Sequence, residues 1–184
     1  MHVIKRDGSS VPVKLDKIVS RIKKQTYGLN TDFLDPMEVA KKVVSGIYDG
    51  VSTVELDKLA AETAASLIPN HPDYSILAAR IAITALHKDT KKSFLDTIDD
   101  LYNYTNPNTG KSAGLIADDV YEAIKKHGKK LEDAIVHDRD LEFDYFGYNT
   151  LAKSYLLKIN GALAETPQHM YMRVACGIWK DNFK

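Results

Sequence analysis

The feature that most constrains the fold of this sequence is a tight turn near its start, at Asp7-Gly8. It separates two short runs, VIKR and SSVPVKL, and glycine readily takes the positive φ that a hairpin turn requires. Pro12 has no amide hydrogen to donate, so the second strand is predicted to lie at the edge of its sheet. Because helical patterns follow at once, the sequence predicts a mainly α fold with a small N-terminal β-hairpin or sheet.

Helix-start signals divide the following stretch into four predicted helices. The signals are Asp16 as an N-cap, Asp35-Pro36 with Glu38 in a capping-box pattern, Ser52 with Glu55 in another, and Pro72. The first helix, KIVSRIKKQTYGL, is expected to turn Ile18, Ile22 and Leu29 inward. A hairpin or sheet capped by four helices is therefore expected over the first half of the chain.

Four further helices are predicted after Lys91, in SFLDTIDDLYNYT, DDVYEAIKKHG, GYNTLAKSYLL and TPQHMYMRVACGIW. NPNTGK and KING supply turns between elements. No repeat or low-complexity linker separates the two halves. The expected division is one domain over residues 1–91 and a helical domain over residues 92–184.

Composition excludes several classes of function. The 25 basic and 25 acidic residues cancel, so no overall field attracts nucleic acid or an anionic membrane. The apolar run LAARIAITAL contains Arg80 and is too short to span a bilayer. No leader peptide is recognisable, and the single cysteine, Cys176, excludes an internal disulfide and multi-cysteine zinc patterns. A cytoplasmic protein without nucleic-acid or membrane partners is predicted.

The motifs resemble a known family. VIKRDG, KLDKI, LAAETAASL, HPDYSILAARIAI, LYNYTNPNTGK, YFGYNTLAKSYLLKINGALAE and TPQHMYMRVACGI are similar to the N-terminal segment of class I ribonucleoside-diphosphate reductase large subunits, of the eukaryotic type. The resemblance implies an ATP-cone followed by the start of a helical domain. In the family that domain leads into a catalytic barrel, which this sequence does not include.

The candidate effector site combines residue chemistry with this resemblance. A polyphosphate needs several cations or helix N-termini brought together, and Thr53 and Asp57, four residues apart, share one helix face suited to a ribose or base. The resemblance assigns effector binding to Lys5, Arg6, Asp16, Lys17, Thr53, Asp57 and Lys88. Each also has a simpler reading, because exposed lysines are commonly solvated and Asp16 and Thr53 are good helix-start residues. Lys5 and Arg6, as strand neighbours, are expected to point to opposite faces.

The resemblance also implies a function. ATP would act as activator and dATP as inhibitor, with Mg²⁺, in a large subunit that forms homo-oligomers and works with a radical-generating small subunit. The family's three active-site cysteines lie downstream, so this chain alone is expected to be inactive. Cys176 is expected to be a small buried hydrophobe. Apolar helix faces that would meet the barrel are expected to be exposed and to favour self-association.

Two alternatives stay open: a stand-alone nucleotide-binding module or gene remnant without catalysis, and a purely structural helical protein without nucleotide affinity. No metal held by protein ligands is expected. The HDRD stretch, residues 137–140, suggests a capped turn with local ion pairs rather than a metal site, since no second ligand cluster stands at suitable spacing. His169 is expected to be a packed, hydrogen-bonded core histidine.

Overall fold

A computed structural model describes residues 1–180 of the chain. Contacts between residues divide it into two compact units. The first unit is Met1–Ala85 with Leu141–Asn149, and the second is Leu86–Asp140 with the residues from Thr150 onward. The division at residues 91 and 92 stays a prediction. The mainly α architecture with small N-terminal strands is confirmed.

The first unit contains a three-stranded sheet in the order β2-β1-β3. Its strands are β1 (His2–Ile4), β2 (Ser10–Pro12) and β3 (Val51–Ser52). The Asp7-Gly8 turn joins the antiparallel β1 and β2, with Gly8 at a φ of 82°, and β2 lies at the edge as Pro12 predicted. Strand β3 was not predicted, because two residues are too few for a periodic pattern.

Four helices cover this sheet, as predicted: α1 (Leu15–Lys23), α2 (Pro36–Ser45), α3 (Thr53–Ser66) and α4 (Asp73–Asp89). The capping box of Ser52 and Glu55 opens α3, and Asp35 caps α2 by accepting from the Met37 amide. Ile18 and Ile22 are buried and Leu29 packs against the same core. Full burial of a side chain such as Ile22 contributes roughly 1.5–3 kcal/mol to stability.

The prediction of Asp16 as the N-cap of α1 is wrong. Lys14 occupies that position without a side-chain cap, and Asp16 lies in the first turn of the helix. There its negative charge still favours the helix, since the N-terminal amides carry partial positive charge. The helix also ends at Lys23 rather than continuing toward Leu29. Glu38 was likewise expected to complete a capping box at the start of α2, but it forms an ion pair with Lys42 one turn later.

The second unit has its own core, built around α5 (Phe94–Tyr102), α6 (Asp118–Ala134) and α8 (Pro167–Trp179). Between α6 and α8 the sequence forms a 3₁₀ helix (His137–Glu142), α7 (Tyr145–Ser154) and the strand pair β4 (Lys158–Ile159) and β5 (Ala162–Leu163), of which Leu141–Asn149 belongs to the first unit. Cys176 is fully buried here, as predicted, and burial raises the pKa of its thiol to about 11.

Apolar side chains on one face of α8 are exposed to solvent. Tyr171, Val174 and Ile178 are about half exposed or more and recur at helical spacing. Within residues 1–180, every helix is too short or too polar to cross a membrane.

Candidate functional site

The parallel pairing of β1 and β3 builds a polar cluster at one end of the sheet. Ile4 lies opposite Ser52 in the register, so the residues that follow the two strands emerge side by side. Arg6 comes two residues after Ile4, and Thr53 begins α3 directly after Ser52. Lys5 and Arg6 both lie beyond β1, so the strand alternation from which opposite faces were expected does not apply to them.

Asp57, the buried carboxylate in the first half of α3, is the centre of this cluster. Its Oδ2 accepts from Arg6 Nη1 at 3.4 Å and Nη2 at 3.3 Å, and its Oδ1 accepts from Arg21 Nε at 3.1 Å. Arg6 Nη1 also lies 3.5 Å from Thr53 Oγ1. The structure therefore brings together three of the predicted residues, Arg6, Thr53 and Asp57.

Arg21 is the member of the cluster that sequence reasoning missed. It projects from α1 and its Nη2 donates to Thr84 Oγ1 of α4 at 2.8 Å. One signal for it was present in the sequence, because Arg21 follows Lys17 by four residues and so shares its helix face. The side chain connects α1, α3 and α4 through one guanidinium group.

The remaining predicted residues are placed by their elements. The Lys5 backbone closes the hairpin turn, donating to Ser9 and accepting from Gly8, and its side chain is exposed. Asp16 and Lys17 are exposed in the first turn of α1. Lys88 lies in the last turn of α4, beyond the residues of the first unit. Their part in effector binding stays a prediction.

The two guanidinium groups differ in how firmly they are held. Arg21 makes short bonds to two side chains, whereas the bonds from Arg6 to Asp57 and Thr53 are 3.3 to 3.5 Å long. Asp57 is 9% exposed, and Arg6 and Arg21 are about one-quarter exposed. Two guanidinium groups therefore share the Asp57 carboxylate, Arg21 at 3.1 Å and Arg6 at 3.3 and 3.4 Å.

Two family profiles match the chain. The profile described as "ATP cone domain" matches residues 1–89, and that described as "Ribonucleotide reductase, all-alpha domain" matches residues 141–184. The first match contains the four residues Arg6, Arg21, Thr53 and Asp57, called the Arg6 cluster below.

Curated relatives match almost the whole chain. It is 55% identical over 182 residues to the "Ribonucleoside-diphosphate reductase large subunit" of Arabidopsis thaliana, covering 99% of this chain and 22% of that protein. The protein of the same name from Danio rerio is 54% identical, with 99% and 23% covered. That of Monkeypox virus is 56% identical over 178 residues, with 97% and 23% covered. The chain thus spans less than a quarter of the length of these relatives.

Proposed function

Because this chain belongs to the N-terminal region of the ribonucleoside-diphosphate reductase large-subunit family, we propose that its first unit binds ATP and dATP as allosteric effectors. The observation that carries the proposal is the Arg6–Thr53–Asp57–Arg21 cluster inside the stretch similar to an ATP cone. A cation that can be released and a fixed polar frame beside it suit a ligand with both phosphates and a nucleoside.

The predicted residues of the first unit have roles in this proposal. Arg6 turns from Asp57 toward the phosphates, and Lys5 and Lys17 add positive charge. Thr53 and Asp57 offer a hydroxyl and a carboxylate that can accept hydrogen bonds from ribose hydroxyls or the adenine amino group. Asp16 adds an exposed carboxylate in the first turn of α1. Arg21 holds Asp57 in position when Arg6 departs.

Magnesium enters this proposal with the nucleotide. Both oxygens of Asp57 accept from guanidinium groups, which makes this carboxylate a poor direct ligand for Mg²⁺. Mg²⁺ keeps several waters and is commonly bound through substrate phosphates, so the ion would arrive on the polyphosphate.

The regulatory consequence follows from linkage. A nucleotide shifts an assembly only through its different affinity for two arrangements, so ATP would favour an active assembly and dATP an inhibited homo-oligomer. The whole protein would reduce ribonucleotides to deoxyribonucleotides for DNA synthesis in the cytoplasm, together with a small subunit. The exposed face of α8 with Tyr171, Val174 and Ile178 would pack against further parts of such a large subunit.

Titration calorimetry of this chain with ATP and dATP, combined with light scattering on the same samples, tests the proposal. Saturable binding of both nucleotides is expected, tighter for dATP and accompanied by a change in particle size. Absence of binding to either nucleotide would contradict the proposal and favour a purely structural protein.

A separate variant tests whether the change in particle size depends on the exposed face of α8. Ile178→Glu places a charge on the exposed face of α8, so self-association that depends on this face should disappear while nucleotide binding persists. Binding that persists in a particle of unchanged size would support a nucleotide-binding module and contradict coupling to assembly in this chain.

A further inference from the structure

A second polar cluster lies entirely in the second unit and goes beyond the proposed function. It joins His87, in the last turn of α4, to His137 and Asp140 of the 3₁₀ helix. The Nε2 of His87 lies 2.8 Å from Asp140 Oδ2, and the three side chains offer ligand atoms that all lie within 4.8 Å of one another. We propose that His87, His137 and Asp140 bind a divalent transition-metal ion, with Zn²⁺ the expected occupant.

The donor set fits that ion. Two imidazoles and a carboxylate suit Zn²⁺ and its neighbours, whereas Mg²⁺ and Ca²⁺ prefer oxygen ligands alone. Tetrahedral zinc, with bonds of about 2.0–2.2 Å, spaces its ligand atoms about 3.3–3.5 Å apart. The imidazole and carboxylate that now touch at 2.8 Å would separate slightly and His137 would move inward, both within the reach of side-chain rotation.

The carboxylate of Asp140 is held in one orientation, as a metal ligand requires. It is fully buried, and its Oδ1 accepts from the Gln168 amide in the first turn of α8 at 2.9 Å. This bond leaves Oδ2 directed at His87. In contrast with Asp57, the carboxylate faces imidazole rather than guanidinium, so its charge remains available to a cation when the imidazole is neutral.

A second, independent observation points to a missing partner at the same place. His169 is fully buried at the start of α8, and among residues 1–180 neither ring nitrogen makes a hydrogen bond of good geometry, although the Lys92 backbone lies close enough to favour the protonated ring and oppose the lowering of its pKa by burial. Its ring lies edge-on to that of His137, with centroids 5.4 Å apart. Burying an unpartnered imidazole costs free energy, which a metal bond or a metal-bound water would recover.

The position of His169 makes it the candidate fourth ligand. Its ring is fully buried beside that of His137, so either ring nitrogen could bind the ion directly or accept from a water on it.

The site has a route for entry. A cavity of about 240 Å³ is lined by His87 and His137 together with Thr90, Lys92, Asp138 and Thr166. Lys91 also lines it, but its ammonium group pairs with Asp100 at 2.6 Å. A bound ion would link the end of α4, the 3₁₀ helix and α8, whose ligands His87, His137 and His169 are well separated in the sequence.

Metal titration of the untagged, chelator-stripped chain tests the site. Calorimetry with Zn²⁺ should show one ion per chain, and Co²⁺ should give the intense visible absorption of a four- or five-coordinate site. The variant is His137→Phe, which keeps an aromatic ring against His169 but removes the ligand. It should weaken Zn²⁺ binding by at least about 100-fold, abolish the Co²⁺ absorption and prevent Zn²⁺ from raising the Tm.

The matched control removes a histidine from an exposed imidazole–carboxylate pair elsewhere in residues 1–180. The amino terminus and His2 both lie near Asp49, at 3.7 and 3.6 Å, and His2→Gln removes that surface group. Binding lost in His2→Gln but kept in His137→Phe would overturn the proposal, as would no stoichiometric binding in the unaltered chain. Should His137→Phe lack the circular dichroism of the parent, His87→Gln replaces it, with the same expected loss of binding.

Discussion

The two units each hold a buried carboxylate where three elements meet, but they surround it with different bases. Asp57 of the first unit faces Arg6 and Arg21, which stay charged at every accessible pH. Asp140 of the second unit faces His87, an imidazole whose ring nitrogens can donate or accept a hydrogen bond. In the first arrangement the carboxylate is paired with two guanidinium groups, one of which, Arg6, turns to an anion under the proposed function. The second keeps a negative charge and nitrogen lone pairs that suit a cation.

The largest expected effect is from Asp57→Asn. It leaves two partly buried guanidinium groups without their counterion and should lower the free energy of unfolding by about 3 kcal/mol, measured by urea denaturation. The matched control on the same helix is Glu62→Gln, whose exposed pair with Lys58 at 3.9 Å should cost less than about 1 kcal/mol. Equal losses in the two variants would show that Asp57 is as solvated as a surface residue.

Cys176 provides a reporter of the second unit. Its pKa of about 11, raised from 9 by burial, reduces the thiolate fraction at pH 8 by about 100-fold. Labelling by a thiol reagent should therefore be at least about 100-fold slower in the native chain than in urea. Labelling of the native chain at the rate of a free thiol would contradict the buried position of Cys176.

A smaller loss is expected from Asp140→Asn in the metal-free chain. The amide oxygen still accepts from Gln168, and its NH₂ group can donate to a neutral His87, so about 1 kcal/mol should be lost. Urea denaturation measures this beside Asp57→Asn. A loss as large as that of Asp57→Asn would show that the second cluster depends on its negative charge as strongly as the first, and it would break the contrast between the two.

The smallest stability change is expected from Arg6→Gln. The side chain is 27% exposed and its bonds to Asp57 are 3.3 and 3.4 Å long. The free energy of unfolding should therefore fall by less than about 1 kcal/mol. A loss of 3 kcal/mol would show that Arg6 is a structural counterion rather than a releasable one.

Local chemistry predicted much of the fold. The capping box of Ser52 and Glu55 and the edge position of Pro12 follow from hydrogen-bonding rules that act within a few residues. Asp16 misled because a good cap residue two positions into the helix is indistinguishable by composition from one at its start. The ATP-cone resemblance supplied the rest of the candidate site, with Arg6, Thr53 and Asp57 found together.

Long-range pairing was beyond the sequence. Strand β3 has two residues and is defined by its partner β1, so the approach of Arg6 to Thr53 could not be derived. HDRD suggested local ion pairs, yet Asp140 pairs with His87, 53 residues away in the chain. His169 is buried as expected but is not hydrogen-bonded through its ring among the described residues. Each miss concerns a contact that only the tertiary fold creates.

The most direct test of the central claim is calorimetric titration of dATP into the parent chain, Arg6→Gln and Lys42→Gln. Lys42 is an exposed cation of α2 paired with Glu38, so its variant controls for charge alone. The account predicts saturable binding to the parent, unchanged affinity in Lys42→Gln and an affinity about 10- to 100-fold weaker in Arg6→Gln, the worth of a lost charge-assisted hydrogen bond. Equal affinity in all three proteins, or none in the parent, would contradict the assignment of the Arg6 cluster as the nucleotide site.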